Sequence, residues 1–334
     1  MSNSLDETLT ELIRAATDTP QWQLKTWLKR IHSVVPRHGI SPHMVPQFVE
    51  FLCTTQLLTT STKVSLIEEY LIPNGNLNRD IIDLILKNLG TPTIYTKPNI
   101  IIPPKYVQVA LCKWLVHVHF LLPSVQDDTI LSTWLQLWQF DYVQEWITYI
   151  LVWSTKDRTN VKPWKVNLLT KLAKNNAYTN SRGAATLILK KYLTVLGQST
   201  KVSDAIDSIG CSESDLSRLQ NLQWNPKFIR MLKTVLNREA SFKYSNSVVE
   251  DKLETLLSQL RTSEIDIRKL NFQDSIPTDN SILSETKTII QLYKNWNSLV
   301  LPRNVEVIVS NDLYSIAQLF PLAFEDATLS QENK

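Results

Sequence analysis

An all-α fold of stacked antiparallel helical hairpins is what this sequence predicts, and three observations predict it. Only six glycines occur in 334 residues, too few for the positive-φ turns and close backbone approaches of a dinucleotide-binding fold, a phosphate-cradling loop or a β-sandwich. Apolar residues recur at helical spacing from Leu5 to Leu260. Between those runs stand serine, asparagine and proline, which cap or open helices.

Ser4 and Glu7 have the spacing of a capping box, with Leu5, Leu9, Leu12, Ile13 and Ala16 following as one face. Pro20 opens a second helix carrying Leu24, Trp27, Leu28, Ile31, Val34 and Val35. Ser41-Pro42 opens a third with Val45, Phe48, Phe51 and Leu52. The same grammar recurs at Asn76 (ending near Gly90), Pro103-Pro104, Lys162-Pro163, Ser181 (ending near Gly197) and Asn225-Pro226. About five helices are expected over residues 4 to 89. Pro92, Pro98, Pro103 and Pro104 then force a connector.

The helix after Ser181 sets the architecture. Ala184, Ala185, Leu187, Ile188, Leu189, Tyr192, Leu193, Val195 and Leu196 surround it, leaving Thr186, Lys190 and Thr194 as a polar strip. A helix apolar on nearly all sides is covered on nearly all sides. The expectation is therefore an α-solenoid of HEAT-like antiparallel hairpins, each packed on the one before and the one after. The organisation expected is a helical array over 1–197, a polar, serine-rich loop with room for one short helix over 198–224, and further hairpins over 225–324. Residues 261–281 read as an acidic connector within the latter, and 325–334 as a polar tail.

Composition narrows function. With 43% hydrophobic and 20% charged residues and a net charge of +3, the chain reads as an ordinary globular protein. No apolar run approaches the ~20 residues that cross a bilayer, so no membrane association is expected, and the polar, acidic start predicts residence in the cytosol or nucleus. Cys53, Cys112 and Cys211 are odd in number and widely spaced, as reduced and mostly buried thiols are. No zinc-ligand spacing occurs, and His117 and His119 lie two apart, on different helix faces. Asp127-Asp128 lacks the third carboxylate of an isoprenoid-type magnesium motif and reads as helix capping. No nucleophile elbow, phosphate loop or zinc-hydrolase motif is present. Neither catalysis nor a cofactor is expected.

Two features bear on binding. Trp134 and Trp138 lie one turn apart, with Ile130 and Leu131 a turn earlier, and make a wide apolar stripe. It serves either as core packing between helix layers or as a groove for a partner helix. Between Lys156 and Lys201, ten basic residues face one acid, a local charge of +9 that leaves −6 for the rest of the chain. This is either a solvated helical face or a basic surface for nucleic acid or an acidic partner, with Lys171, Lys174, Lys190 and Lys191 as its candidate members.

Several segments, taken in order, carry a family resemblance. They are His38-Gly39-Ile40-Ser41-Pro42, Ser61 to Ile67 leading to Leu71-Ile72-Pro73, Lys113-Trp114-Leu115-Val116, and, most specific, Asn160-Val161-Lys162-Pro163-Trp164-Lys165-Val166-Asn167-Leu168-Leu169. Trp296-Asn297-Ser298 and the Leu313 to Pro321 segment give weaker support. Together they resemble the N-terminal half of the centromere protein I family. The resemblance implies a nuclear, centromeric scaffold subunit of the inner kinetochore, within the constitutive centromere-associated network. Its implied partners are the helical, coiled-coil-forming centromere proteins H and K and other inner-kinetochore subunits, and the basic segment is expected to contact centromeric DNA or an acidic segment of a neighbouring subunit. The alternative from another class is a helical-repeat nucleic-acid-binding protein unrelated to the kinetochore. Base-reading repeats of that kind carry a recurrent polar pair in successive units, and the sequence has none.

Overall fold

The computed structural model describes residues 2–16, 18–91, 101–123, 127–175, 179–197, 199–239 and 245–261. The connector expected at 261–281, the elements expected at 282–296 and 312–320, and the 325–334 tail lie outside them, except for Arg261. Fourteen α-helices are described: α1 Ser2–Ile13, α2 Gln21–His38, α3 Met44–Thr54, α4 Thr60–Ser65, α5 Asp80–Lys87, α6 Lys105–His117, α7 Asp128–Leu137, α8 Asp141–Ser154, α9 Pro163–Asn175, α10 Thr179–Leu196, α11 Thr200–Ile209, α12 Glu213–Gln220, α13 Pro226–Glu239 and α14 Asn246–Arg261. A π-helical turn, Leu66–Tyr70, continues α4, and 3-10 turns follow α6 and α8. Among the described residues the only β-pairing is a single parallel bridge between Ile40 and Pro73.

The described residues of Met1–Val195 and Lys201–Ser263 make one compact unit. Within it, α1, α3, α5 and α7 pack in succession as one layer. In the second layer α2 meets the π turn, α4 and that turn meet α6, and α6 meets α8. Consecutive helices therefore alternate between layers, which is the HEAT-like arrangement of antiparallel hairpins expected from the sequence. One contact departs from neighbour-only stacking. The hairpin of α13 and α14 returns across the second layer, α13 against α2 and the π turn, α14 against α8.

Local chemistry explains the helix ends. Pro20 and Pro104 precede α2 and α6, and Asn225 accepts from the amides of Lys227 and Phe228 at the start of α13. Four starts differ from expectation: α3 begins at Met44, two residues after Pro42, and α10 at Thr179, two residues before Ser181. α1 begins at Ser2, which puts Ser4 inside the helix, and Asp6 on that helix instead accepts the hydroxyl of Ser41 at 3.0 Å. α5 begins at Asp80, not at Asn76, although Leu77 is buried as its periodicity required. The polar loop expected over 198–224 is instead the two helices α11 and α12. Val202, Ala205 and Ile209 bury one face of α11, and Ser212 caps α12 by accepting from the Asp215 amide. α12 packs closely on α10: a Cβ on Gly183 would stand 3.1 Å from the Asp215 carbonyl oxygen. Thr186, one turn later, is consequently buried, so the polar strip Thr186–Lys190–Thr194 reaches solvent only at its far end.

Three of the resemblance motifs meet in space. Ile40 donates its amide to Ile72 O at 2.7 Å and accepts from the Asn74 amide, so the 38–42 motif pairs with the 71–73 motif. Trp114 Nε1 donates to Leu71 O at 2.5 Å and Lys113 pairs with Glu68 at 3.1 Å, bringing in the 113–116 motif. Lys63 is buried and donates Nζ to the carbonyl of Thr55, the C-cap of α3, where the helix dipole favours a cation. Burial pushes the nearby Cys53 thiol up to about 12 and also raises that of Cys112. Gln108 spans the ends of the proline-rich connector: it exchanges hydrogen bonds with Gly90 N and O at 2.9 Å and donates to Pro103 O.

An aromatic seam joins the first layers to the returning hairpin. Trp153 Nε1 donates to Leu256 O at 3.0 Å, and its ring stacks on Trp224 and Tyr149. His117 lies edge-on to Trp224 and Phe228. Its Nδ1 bonds Lys113 O at 2.7 Å and its Nε2 accepts the Asn225 amide at 2.9 Å, an arrangement that requires the neutral Nδ1–H tautomer. Burial lowers the basicity of His117 below the ordinary value. His119, packed 5.1 Å from Trp153, is pushed down to about 4 by burial and by the Lys156 charge.

Two measurements check this packing. Gly39 has φ of +67°, and a Cβ there would stand 2.5 Å from Val235 Cγ1. Gly39→Ala should lower stability by more than about 2 kcal/mol in a urea titration, whereas Gly210→Ala, at φ +62° with open space around it, should cost about 1 kcal/mol. The second measurement concerns pH. Burial depresses both imidazoles, so below 6.5 the unfolded chain binds more protons and stability rises with pH, for His119 over the window from 6.5 down to about 4. Thermal midpoints should therefore fall as pH drops through that window, and His119→Gln should flatten part of the slope.

Candidate partner-binding surface

The most specific sequence motif, residues 160–169, folds as a 3-10 turn, Arg158–Asn160, running into α9. Its register is set by an ion-pair knot. Lys165 is 1% exposed, and its Nζ donates to Asp128 Oδ1 at 2.6 Å and to Asn160 O at 3.0 Å. Lys162 reaches the other Asp128 oxygen at 2.8 Å. Partial burial works to raise the Asp128 carboxyl, but the hydrogen bonds from the two lysines outweigh it and hold the group below its usual range. Asp127, the other half of the acidic pair, caps α7 by accepting from the Thr129 amide at 2.9 Å and pairs with Arg79. The expected capping role thus belongs to Asp127, while Asp128 is a counter-ion.

Trp134 and Trp138 are core residues. They are 1% and 0% exposed, and Trp138 Nε1 donates to the buried Thr148 hydroxyl at 2.9 Å. Trp134 lines, with Ile82, Leu115, Ile150, Trp153 and Leu256, a cavity of about 260 Å³. The alternative of an open partner groove along this stripe is corrected by α8, which packs over α7 and encloses both rings. Of the four candidate lysines, Lys171 and Lys174 are exposed on α9, whereas Lys190 and Lys191 are half-buried on α10. Burial and the Lys156 charge lower the basicity of Lys191.

What the sequence did not single out is the exposure of four large apolar side chains: Trp22, Ile101, Tyr106 and Trp164. Trp164 stands 43% exposed in the middle of the 160–169 motif, with Lys165 Nζ 5.6 Å from its ring centroid. No local sequence signal marks it, because the burial of the adjacent Lys165, which turns Trp164 outward, is set by Asp128 and Asn160. Among the described residues no group of His, Cys, Asp and Glu side chains is placed to hold a metal ion, and no helix is long and apolar enough to cross a membrane.

Enclosure of the tryptophan stripe has a measurable consequence. Trp134→Ala and Trp138→Ala should each cost about 3–5 kcal/mol of stability, and Trp138→Phe, which loses chiefly one hydrogen bond and some packing, about 1–2 kcal/mol. Unchanged denaturation midpoints would remove both rings from the core.

No family model matches the chain. The inner kinetochore subunit CTF3 of Saccharomyces cerevisiae is 32% identical over 323 residues, covering 94% of this chain and 44% of that protein. The chain thus spans less than half the length of this curated relative. Two solved structures also align at 16% identity. A crystal structure of centromere protein Cenp-I has a TM-score of 0.47, covering 65% of this chain and 99% of that one. A kinetochore Cenp-H/I/K triple complex has a TM-score of 0.48, covering 63% and 97%. The ordered motifs that resemble the centromere protein I family thus lie within a stretch that is similar to the inner kinetochore subunit CTF3 over almost all of this chain.

Proposed function

We propose that this chain is a non-enzymatic scaffold portion of an inner-kinetochore subunit, acting in the nucleus at the centromere within the constitutive centromere-associated network. In this role it holds helical partner subunits together and supports kinetochore assembly and chromosome segregation. The observation that carries the reading is the identity to CTF3 over 94% of the chain. Two packed helical layers suit the task, because rigid stacked hairpins present long edges on which amphipathic partner helices bury an apolar stripe. The partners inferred from the family are coiled-coil-forming subunits resembling centromere proteins H and K.

Lys171, Lys174, Lys190 and Lys191 form the basic surface of this reading, which meets centromeric DNA or an acidic segment of a neighbouring subunit. Lys171 and Lys174 contribute most, because their ammonium groups stay in solvent while Lys190 and Lys191 are half-withdrawn.

Co-expression with the coiled-coil subunits of the same organism, followed by size-exclusion chromatography, tests the scaffold. One co-eluting complex that persists in high salt is expected. Failure to co-elute, together with nucleic-acid binding that falls steeply with salt, would instead favour a helical-repeat nucleic-acid binder. Charge reversal at Lys171 and Lys174 should shift stability by no more than about 0.5 kcal/mol each and should weaken assembly or DNA association, flattening its salt dependence.

A further inference from the structure

Packing explains the residues around the centre of the 160–165 stretch and leaves one unexplained. Asn160 and Lys165 are buried, Lys162 holds Asp128, and Pro163 opens α9, yet Trp164 is 43% exposed. An exposed indole gives up much of the stabilisation that its burial would supply, and the Lys165 ammonium, 5.6 Å from the ring centroid, leaves 43% of the residue to solvent. The helix geometry supplies a context. Leu168 and Leu172, each half-buried, follow Trp164 at i+4 and i+8, so the three make an apolar strip spanning about two turns, about 12 Å long. Asn167, Lys171 and Lys174 are exposed on the same side of α9 and edge that strip.

We propose that this face of α9 is a docking site for an acidic amphipathic helix of a partner polypeptide; the proposal rests on the scaffold reading above and names the chemistry of one of its partners. The strip receives apolar side chains at i, i+4 and i+7 of the incoming helix, and Trp164 is the anchor. Lys171 and Lys174 pair with carboxylates on its flank and set its orientation. A partner helix fits better than a nucleic-acid backbone. Phosphates are held by cations tracking the strand, whereas here the middle of the face is apolar and the nearby cations Lys162 and Lys165 are already committed to Asp128. The buried Lys165, beside the indole, fixes the first turn of α9 and so presents Trp164 in one place.

The test uses the full chain assembled with its coiled-coil subunits. A photo-reactive benzoyl-phenylalanine at position 164 should cross-link to an acidic helical segment of a partner subunit. Trp164→Ala and the double variant Lys171→Glu/Lys174→Glu should each weaken subunit binding at least tenfold with unfolding midpoints unchanged. The charge variant should lose more at low salt than at high salt, and the Trp164 variant equally at both. If the wild-type complex assembles but both variants bind normally and position 164 gives no cross-link, the docking face is overturned while the scaffold reading stands. If the wild-type chain fails to assemble at all, both fail together. Weakened binding of a fluorescent DNA duplex, with subunit binding intact, would make the face a nucleic-acid surface and overturn the proposal.

Discussion

The structure turns on an imidazole that cannot take up a proton without breaking a bond. His117 spends one nitrogen on the Lys113 carbonyl of its own helix and the other on the Asn225 amide, more than a hundred residues later. A buried polar group without a partner costs about 1–3 kcal/mol, so this histidine and the start of α13 satisfy each other. Around it Trp224, Phe228, Trp153 and Tyr149 close the apolar part of the seam. The aromatic contacts supply most of the burial, and the two hydrogen bonds fix where α13 begins. That placement in turn decides where α13 reaches α2 and where α14 reaches α8.

With α13 and α14 laid across it, part of the second layer's surface is occupied by the chain's own helices. A stacked-hairpin scaffold ordinarily leaves such a surface for partners. Here the exposed aromatic side chains Trp22, Tyr106 and Trp164 lie elsewhere, in the first turns of α2, α6 and α9. The same logic separates cations that hold the fold from cations that face outward. Lys63 and Lys165 are internal, satisfying a helix C-terminus and a carboxylate, and only the remainder of the basic segment contributes to an outward field.

Helix starts were legible in the sequence wherever the signal is local. A proline before α2 or α6 and an asparagine capping α13 act within one turn, so no tertiary information is needed to read them. Over 198–224 the frequent serines mask a sound apolar stripe, Val202, Ala205 and Ile209, and the cap at Ser212. For Trp134 and Trp138, periodicity gives the face a residue occupies and not what covers that face. Only the position of α8 decides between core and groove. Charge counting failed similarly at α9: ten cations look equivalent along a sequence, yet burial makes Lys165 a structural residue and leaves its neighbour Trp164 outside.

The close crossing at Gly39 has a consequence for how the molecule is made. Val235 and Asn74 both crowd that glycine, so α2 keeps one flank uncovered until a helix about 200 residues downstream has been synthesised. At about 5–20 residues per second this is an interval of roughly 10–40 seconds, far longer than the microseconds in which a single helix forms. During that time the nascent chain carries a finished early hairpin with an unfinished flank. Its yield in the cell is then governed by what shields that flank during translation as much as by the stability of the completed fold.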